Sequence, residues 1–294
     1  MYSSLAAAIR DAESQGKSLG VLALEVESRD QARPIADIRA ALGRALAIMR
    51  GAVDQGLVGD LHSASGLVGG DAAKLMHGPP GPLTGTLFRD VLARALAVQE
   101  VNAAMGVIVA APTAGGAGVL PAVLTGLAAA RGISDEQVIT ALATAGLIGA
   151  VVAERASLSG AEGGCQAETG AAAGMAAGAA TEMLGGSPSQ VGHAVALAQQ
   201  ATLGLVCDPL GGLVELPCVF RNATGAAIAL AAVEMALAGI TFAIPADEVI
   251  DVMGEIGREM DVRYRETAGG GLAATPTGRR LARERMVQIK RSGA

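Results

Sequence analysis

Aromatic residues and β-strand patterns are almost missing from this chain. It has no tryptophan, and aromatic residues make up 2% of its 294 residues, although 51% of the residues are hydrophobic. Alanine and glycine therefore supply much of the apolar content. Alternating runs of β-branched and aromatic side chains, which are typical of strands, are rare. Because small side chains let helices approach closely, we expect an all-α fold of tightly packed helices.

An excess of basic residues is also missing, as are the marks of a secreted protein. The net charge is −6, which argues against a nucleic-acid partner. Charged residues occur early, at Arg10, Asp11 and Glu13, unlike in a signal peptide. The three cysteines are odd in number and form no CxxC pair, so a disulfide framework is not expected. We expect a cytoplasmic protein that binds no nucleic acid.

One run without a charged side chain, residues 101–130, is long enough to span a bilayer. It contains Pro112 and Pro121 and a cluster of glycines between them. A lipid-facing helix interrupted there would leave backbone groups without hydrogen-bond partners. We therefore predict two apolar helical pieces joined by a buried glycine-rich loop, and no membrane span.

Helix-start signals recur along the chain, and glycine-rich loops separate the helical patterns. Capping-box spacings and prolines predict helix starts at four places: Ser134 with Gln137, Ser187 with Gln190, after Pro34, and after Pro245. No low-complexity linker divides the chain. We expect one all-α domain over residues 31–294, preceded by a peripheral N-terminal arm at residues 1–30.

Each of the three cysteines lies in a predicted loop beside glycine or proline. They are Cys165, Cys207 and Cys218. A free cysteine is usually a small buried hydrophobic residue, and that alternative stays open. A structural zinc site needs four ligands, usually in closely spaced pairs, and such pairs are missing here. Three widely spaced cysteines suit a [4Fe–4S] cluster with one iron that lacks a thiolate and can act as a Lewis acid on a hydroxyl group.

Several stretches around these loops resemble, in order, the α chain of iron–sulfur-dependent L-serine dehydratases. They are Ser65-Gly66-Leu67 with Gly69-Gly70-Asp71-Ala72, Glu100-Val101-Asn102-Ala103-Ala104-Met105-Gly106, Pro112-Thr113-Ala114-Gly115, Gly163-Gly164-Cys165-Gln166-Ala167-Glu168, Gly204-Leu205-Val206-Cys207-Asp208-Pro209, Pro217-Cys218-Val219 with Arg221-Asn222, and Glu266-Thr267 with residues 271–278. The resemblance covers nearly the whole chain and is densest from about residue 57 to 280.

The resemblance implies that Cys165, Cys207 and Cys218 bind a [4Fe–4S] cluster, and that L-serine is converted to pyruvate and ammonia at the open iron. It also implies an oligomer with a separate β subunit, because the family's smaller β part is not found in this chain. Val68 stands where relatives tend to carry threonine. Two alternatives therefore stay open: a lyase for another β-substituted amino acid such as cysteine, and a non-catalytic helical interaction protein.

Two loops supply the other candidate site residues. His62 adjoins the first loop and is the candidate for acid–base chemistry, whereas His77 and His193 are expected to be structural. The candidate substrate-binding residues are Ser63, Ser65, Gly70, Asp71 and Thr113. Thr113 and the glycines after it could form an anion-binding nest, and the alternative for the first loop is a turn with a helix cap.

Overall fold

The computed structural model describes residues 2–79, 81 and 85–292, and the regular elements in these ranges are helices. They are α1 (Leu5–Ser14), α2 (Leu19–Asp30), α3 (Ile35–Leu57), α4 (Asp71–His77), α5 (Thr86–Ala103), α6 (Val119–Arg131), α7 (Asp135–Arg155), α8 (Gly160–Gly163), α9 (Ala171–Met183), α10 (Pro188–Gln200), α11 (Cys218–Leu237), α12 (Ala246–Glu259) and α13 (Pro276–Ser292). A π-helical turn, Gln166–Gly170, leads into α9. The all-α prediction is confirmed, because the described residues form no strand and one isolated bridge, between Cys207 and Arg265.

Helix α9 lies at the centre of the fold. Every residue from Ala171 to Thr181 is buried, and the helix packs against α6, α7, α10 and α11. Its small side chains make this close approach possible. A Cβ atom on Gly178 would lie 2.4 Å from Cδ1 of Ile148, so the backbone of α9 touches its neighbour directly. The alanine- and glycine-rich composition is therefore explained by dense helix packing.

The predicted helix starts are confirmed where the sequence carries capping signals. The Ser134 hydroxyl accepts the N–H of Gln137, whose side chain returns to the Ser134 backbone. Ser187 and Gln190 form the same reciprocal pair at the start of α10. Helices α3 and α12 begin directly after Pro34 and Pro245, where the sequence predicts helix starts. These local signals set the helix boundaries around the site.

The uncharged run 101–130 is interrupted by a loop, as predicted, but only its first three residues are helical before the loop, and part of the loop is exposed. Helix α5 ends at Ala103, α6 begins at Val119, and the glycine-rich loop lies between them. Helices α7 and α11 are long and apolar enough to span a membrane by length and composition, a property that core helices of soluble proteins share. In α7, 67% of the apolar stretch is buried inside the fold.

The N-terminal helices share the core with the rest of the chain. Leu5 and Ala8 of α1 and Leu19 of α2 are fully buried. Helix α2 packs against α7, and Asp247 at the start of α12 accepts the backbone N–H of Leu5 at 2.8 Å. The division into an arm over residues 1–30 and a domain over residues 31–294 stays a prediction, and residues 293 and 294 lie outside the described residues.

Candidate active site at three buried cysteines

Two of the three cysteines lie at the starts of helical segments, and the third lies in a loop. Cys165 precedes the π-helical turn that leads into α9, Cys218 is the first residue of α11, and Cys207 lies in the connection between α10 and α11. All three are at most 5% exposed. Burial raises the pKa of each thiol, to about 12 for Cys218, and the charge of Cys165 raises the pKa of the other two further. Contacts of neighbouring residues place the cysteines in one region of the fold. Glu168, three residues after Cys165, contacts Cys207, and the Asn222 side chain donates to the carbonyls of both Cys218 and Gly115.

The carboxylate of Glu168 lies beside the cysteines. It is 8% exposed, and its Oε1 accepts a hydrogen bond from the Thr113 hydroxyl at 2.7 Å. Its Oε2 lies 3.9 Å from Cys207 Sγ. Burial raises the pKa of Glu168, and the negative charge of Glu266 raises it further against the lowering effect of the Thr113 hydrogen bond. Thr113 is thus a direct partner of a buried acidic group at the cysteine site.

Two glycines leave room for the Glu168 carboxylate. A Cβ atom on Gly115 would lie 2.7 Å from Oε1. A Cβ atom on Gly160 would lie 2.5 Å from Oε2 and 3.2 Å from the Sγ atom of Cys207. Both distances to the carboxylate are shorter than real contacts allow, so any side chain at these positions would displace it. The glycine-rich loops are therefore a steric requirement of this site.

A buried ion pair joins α11 to the connection that precedes it, and Asp208 also binds the C-terminal loop, defined as residues 260–275 between α12 and α13. Nη1 of Arg221 lies 2.8 Å from Oδ1 of Asp208, a salt-bridge distance although the angle does not meet hydrogen-bond geometry. The same nitrogen donates to the Val206 carbonyl at 2.8 Å, and the guanidinium also interacts with Cys165. Oδ2 of Asp208 accepts the N–H of Leu272 at 2.7 Å. Arg221 therefore places a positive charge next to one thiol while Asp208 balances it.

Backbone hydrogen bonds hold the C-terminal loop against Cys207. The Cys207 N–H donates to the Tyr264 carbonyl at 2.8 Å, and the Glu266 N–H donates to the Cys207 carbonyl at 3.0 Å. Glu266 has a φ of +60° and Ala268 a φ of +55°, a left-handed conformation that residues with a side chain rarely adopt. Such strain persists only where surrounding contacts enforce it, as they do here.

The serine loop lies next to the start of α11. The Ser65 hydroxyl donates to the Glu215 carboxylate, as does the Ser65 N–H at 3.2 Å. Glu215 is buried, and its carbonyl accepts the N–H of Val219, one residue after the third cysteine. The Ser63 hydroxyl accepts the N–H of Val68 at 3.3 Å, within the same loop. The structure thus brings Ser65 close to the cysteine site through Glu215.

The remaining candidates of the first loop have local structural partners. The N–H groups of Gly70 and Asp71 donate to the Glu100 carboxylate at 3.0 and 2.7 Å. Asp71 also forms an ion pair with Lys74 at 2.8 Å. His62 is exposed, and the described residues offer its side chain no hydrogen bond. The roles of these residues stay predictions.

The two histidines expected to be structural occupy structural positions. His77 is the last residue of α4. His193 lies within α10, and its Nδ1 accepts the N–H of Phe242 at 3.3 Å.

Five polar residues of the site were not singled out from the sequence. They are Glu168, Asp208, Glu215, Arg221 and Glu266. Four of them lie within the motifs that carry the resemblance. A usable signal was present, because Glu168, Asp208, Glu215 and Arg221 each lie within three residues of a cysteine in an otherwise apolar segment.

The chemistry of the three cysteines suits an iron–sulfur cluster, which proteins bind through thiolates. In the part of the chain that the structure describes, no group of three His, Cys, Asp or Glu side chains is arranged around one ion. A cubane cluster binds each thiolate at a different iron, so its ligand sulfurs lie farther apart than the ligands of one ion. Three buried thiols from separate segments of the chain could supply three such ligands.

Fold and site together define a helical protein with a buried three-cysteine centre. The family model described as "Serine dehydratase alpha chain" matches residues 13–273. The chain therefore belongs to this family.

Individual relatives agree with that assignment. The chain is 51% identical over 266 residues to "Probable L-serine dehydratase, alpha chain" of Bacillus subtilis (strain 168), covering 90% of this chain and 88% of the relative. It is 45% identical over 202 residues to "L-serine dehydratase, alpha chain" of Peptoniphilus asaccharolyticus, covering 69% of each. It is 42% identical over 275 residues to "L-serine dehydratase" of Streptomyces coelicolor, covering 90% of this chain but 59% of that relative.

Proposed function

We propose that this chain is the α subunit of an iron–sulfur L-serine dehydratase, which converts L-serine to pyruvate and ammonia. The observation that carries the proposal is the burial of Cys165, Cys207 and Cys218 in one region of the fold, around Glu168. The names of the relatives support L-serine as the substrate.

The proposed reaction removes the α proton and the hydroxyl group of L-serine, and the resulting aminoacrylate tautomerises and hydrolyses. The three cysteines would hold a [4Fe–4S] cluster, which, when bound, supplies a Lewis acid for the leaving hydroxyl group. The protein excludes water by burying the thiols and closing the C-terminal loop over Cys207. Exclusion of water strengthens electrostatic interactions within the site.

The polar residues around the cysteines are proposed to bind and orient the substrate. Thr113 is proposed to contribute through its hydrogen bond to Glu168, which lies beside the cysteines. Ser63, Ser65, Gly70 and Asp71 are proposed to bind substrate from the first loop, and His62 is the proposed acid–base residue. The exposed side chain of His62 is open to contact with another subunit.

A second chain is proposed to complete the enzyme. This chain matches 88% of the Bacillus α chain but 59% of the Streptomyces relative, whose name carries no chain designation. The unmatched part of the latter is consistent with a β portion fused to the α portion. We therefore propose an oligomer of this chain with a separate β subunit, located in the cytoplasm.

The test is product analysis with the anaerobically purified complex of α and β subunits. L-Serine should yield pyruvate and ammonia in equal amounts, and Cys207→Ala should abolish the reaction. Thr181→Ala is a suitable control, because the buried Thr181 hydroxyl has no hydrogen-bond partner among the described residues. A higher kcat/KM for L-cysteine, with sulfide as a product, would favour the alternative lyase. No turnover of either amino acid would contradict the proposal.

A further inference from the structure

Glu168 is a buried carboxylate at the cysteine site, three residues after Cys165. Its side chain also contacts Cys207. Oε1 is held by the Thr113 hydroxyl at 2.7 Å. Among the described residues, Oε2 has one polar neighbour, the Cys207 sulfur at 3.9 Å, which is too long for a strong hydrogen bond. One oxygen is therefore fixed, and the other faces the cysteine site.

The backbone around Glu168 is held rigidly. Glu168 lies in the π-helical turn before α9, and such turns occur frequently at functional sites. In the same turn, the Gln166 side chain donates to the Met253 carbonyl at 3.1 Å and accepts the Gly204 N–H at 2.9 Å. A Cβ atom on Gly116 would lie 2.8 Å from the Glu168 carbonyl oxygen. This side chain is thus positioned before any ligand arrives.

The charge around Glu168 is not balanced by the protein. Glu266 adds a second carboxylate nearby. Arg221, the cation at the site, is paired with Asp208, and the described residues give Glu168 no ion pair. A buried carboxylate without a positive partner is costly, so a cation at this position would stabilise the site.

We propose that Glu168 binds the α-ammonium group of the substrate amino acid. The proposal rests on the proposed function and names the residue that selects a 2-amino-3-hydroxy acid over its deamino analogue. In L-serine the ammonium nitrogen is two carbons from the hydroxyl oxygen, so a hydroxyl group among the cysteines leaves the ammonium near the wall of the site. Oε2 of Glu168 lies in that wall, beside Cys207.

The experiment compares two ligands in two proteins. The holoenzyme complex, wild type or Glu168→Gln, is titrated anaerobically with L-serine and with 3-hydroxypropionate, which has hydrogen in place of the ammonium group. Dissociation constants are taken from the change in the visible spectrum. Glu168→Gln should weaken L-serine binding at least about tenfold, as expected for loss of a charge-assisted contact. Binding of 3-hydroxypropionate should change less than about twofold, because it carries no cation for Glu168.

Two further variants control for structural effects. Glu182→Gln makes the same change in a largely buried carboxylate at the other end of α9, where Glu182 accepts the Gly20 N–H at 3.0 Å. It should leave both dissociation constants unchanged. Thr113→Val leaves Glu168 in place but removes its hydroxyl donor, and should weaken L-serine binding roughly three- to tenfold. Thr113→Ser, which keeps the hydroxyl, should bind L-serine as tightly as the wild type.

The outcomes separate this inference from the proposed function. Equal weakening of both ligands by Glu168→Gln would overturn the ammonium contact, as would unchanged L-serine binding. If Glu168→Gln loses its cofactor, the test passes to the titration of Thr113→Val. Equal weakening of L-serine and 3-hydroxypropionate binding in that variant would overturn the ammonium contact. A wild-type complex that forms no pyruvate from L-serine would instead contradict the proposed function itself.

Discussion

At the scale of single residues, the site depends on positions where a side chain would not fit. Gly115 and Gly160 come from different parts of the chain; Gly115 borders both oxygens of the Glu168 carboxylate, and Gly160 borders Oε2. Neither glycine has a positive φ, so the requirement is space and not backbone conformation. Substitution at these positions therefore tests the position of Glu168 without altering its chemistry.

Gly115→Ala should impair substrate binding and stability together. The added Cβ atom would lie 2.7 Å from Oε1 of Glu168, so the carboxylate or the loop must move. We expect the KM for L-serine to rise about tenfold and the free energy of unfolding to fall by about 1–3 kcal/mol. Steady-state kinetics and urea denaturation measure the two effects.

Gly146→Ala is the matched control for this substitution. A Cβ atom there meets no other atom within 4 Å, and Gly146 is exposed in the middle of α7. The control should keep its KM and gain about 0.5–1 kcal/mol of stability from the higher helix propensity of alanine. An unchanged KM in Gly115→Ala would show that Glu168 tolerates displacement.

At the scale of elements, buried carboxylates fix the ends of helices. Glu100 of α5 accepts the N–H groups of Gly70, Asp71 and Ala72, at 3.0, 2.7 and 3.1 Å, at the start of α4. Burial raises the pKa of Glu100 even though these three hydrogen bonds lower it. The carboxyl group therefore takes up a proton more readily in the folded chain than in the unfolded chain.

Stability should depend on pH through Glu100. Because its folded-state pKa lies above the ordinary value, protonation favours the folded state, and stability is gained as pH falls through the folded pKa. As pH falls from neutral toward the ordinary pKa of a glutamate, the free energy of unfolding of the wild type should rise relative to that of Glu100→Gln. Urea denaturation of both proteins across this range gives the difference. A difference that shrinks with falling pH would mean that the three N–H groups outweigh burial.

The sequence predicts elements well where the signal is local. The capping boxes at Ser134 and Ser187 lie within four residues and were identified from spacing alone. The Thr113–Glu168 and Ser65–Glu215 contacts join residues 55 and 150 positions apart, and no periodicity or cap links such positions. Only the packing of α9 and α11 brings them together. The resemblance to the family identified the loops, but it did not predict which side chains of different loops contact each other.

At the scale of the whole molecule, the fold depends on a central helix of small residues. Ala176 of α9 is fully buried, and α9 is enclosed by four other helices. The low aromatic content and high alanine content predicted such packing in general terms. They could not predict which helix is central, because several segments share that composition.

Ala176→Leu should destabilise the whole chain. The larger side chain has no free volume around α9, so neighbouring helices must shift, and we expect a loss on the order of 3 kcal/mol in the free energy of unfolding. Ala129→Leu, at an exposed position near the end of α6, should change stability by less than about 0.5 kcal/mol. Thermal or urea unfolding compares the two. Equal stability of both variants would contradict the close packing of α9.

The central claim is that Cys165, Cys207 and Cys218 together hold an iron–sulfur cluster at which L-serine binds. The most direct measurement is the iron and sulfide content of the chain after anaerobic reconstitution, with its visible spectrum recorded with and without L-serine. The wild type and Thr181→Ala should each bind about four irons per chain and change their spectra with L-serine, and each single Cys→Ser variant should lose iron. No iron uptake by the wild type, or full uptake by all three cysteine variants, would contradict the claim.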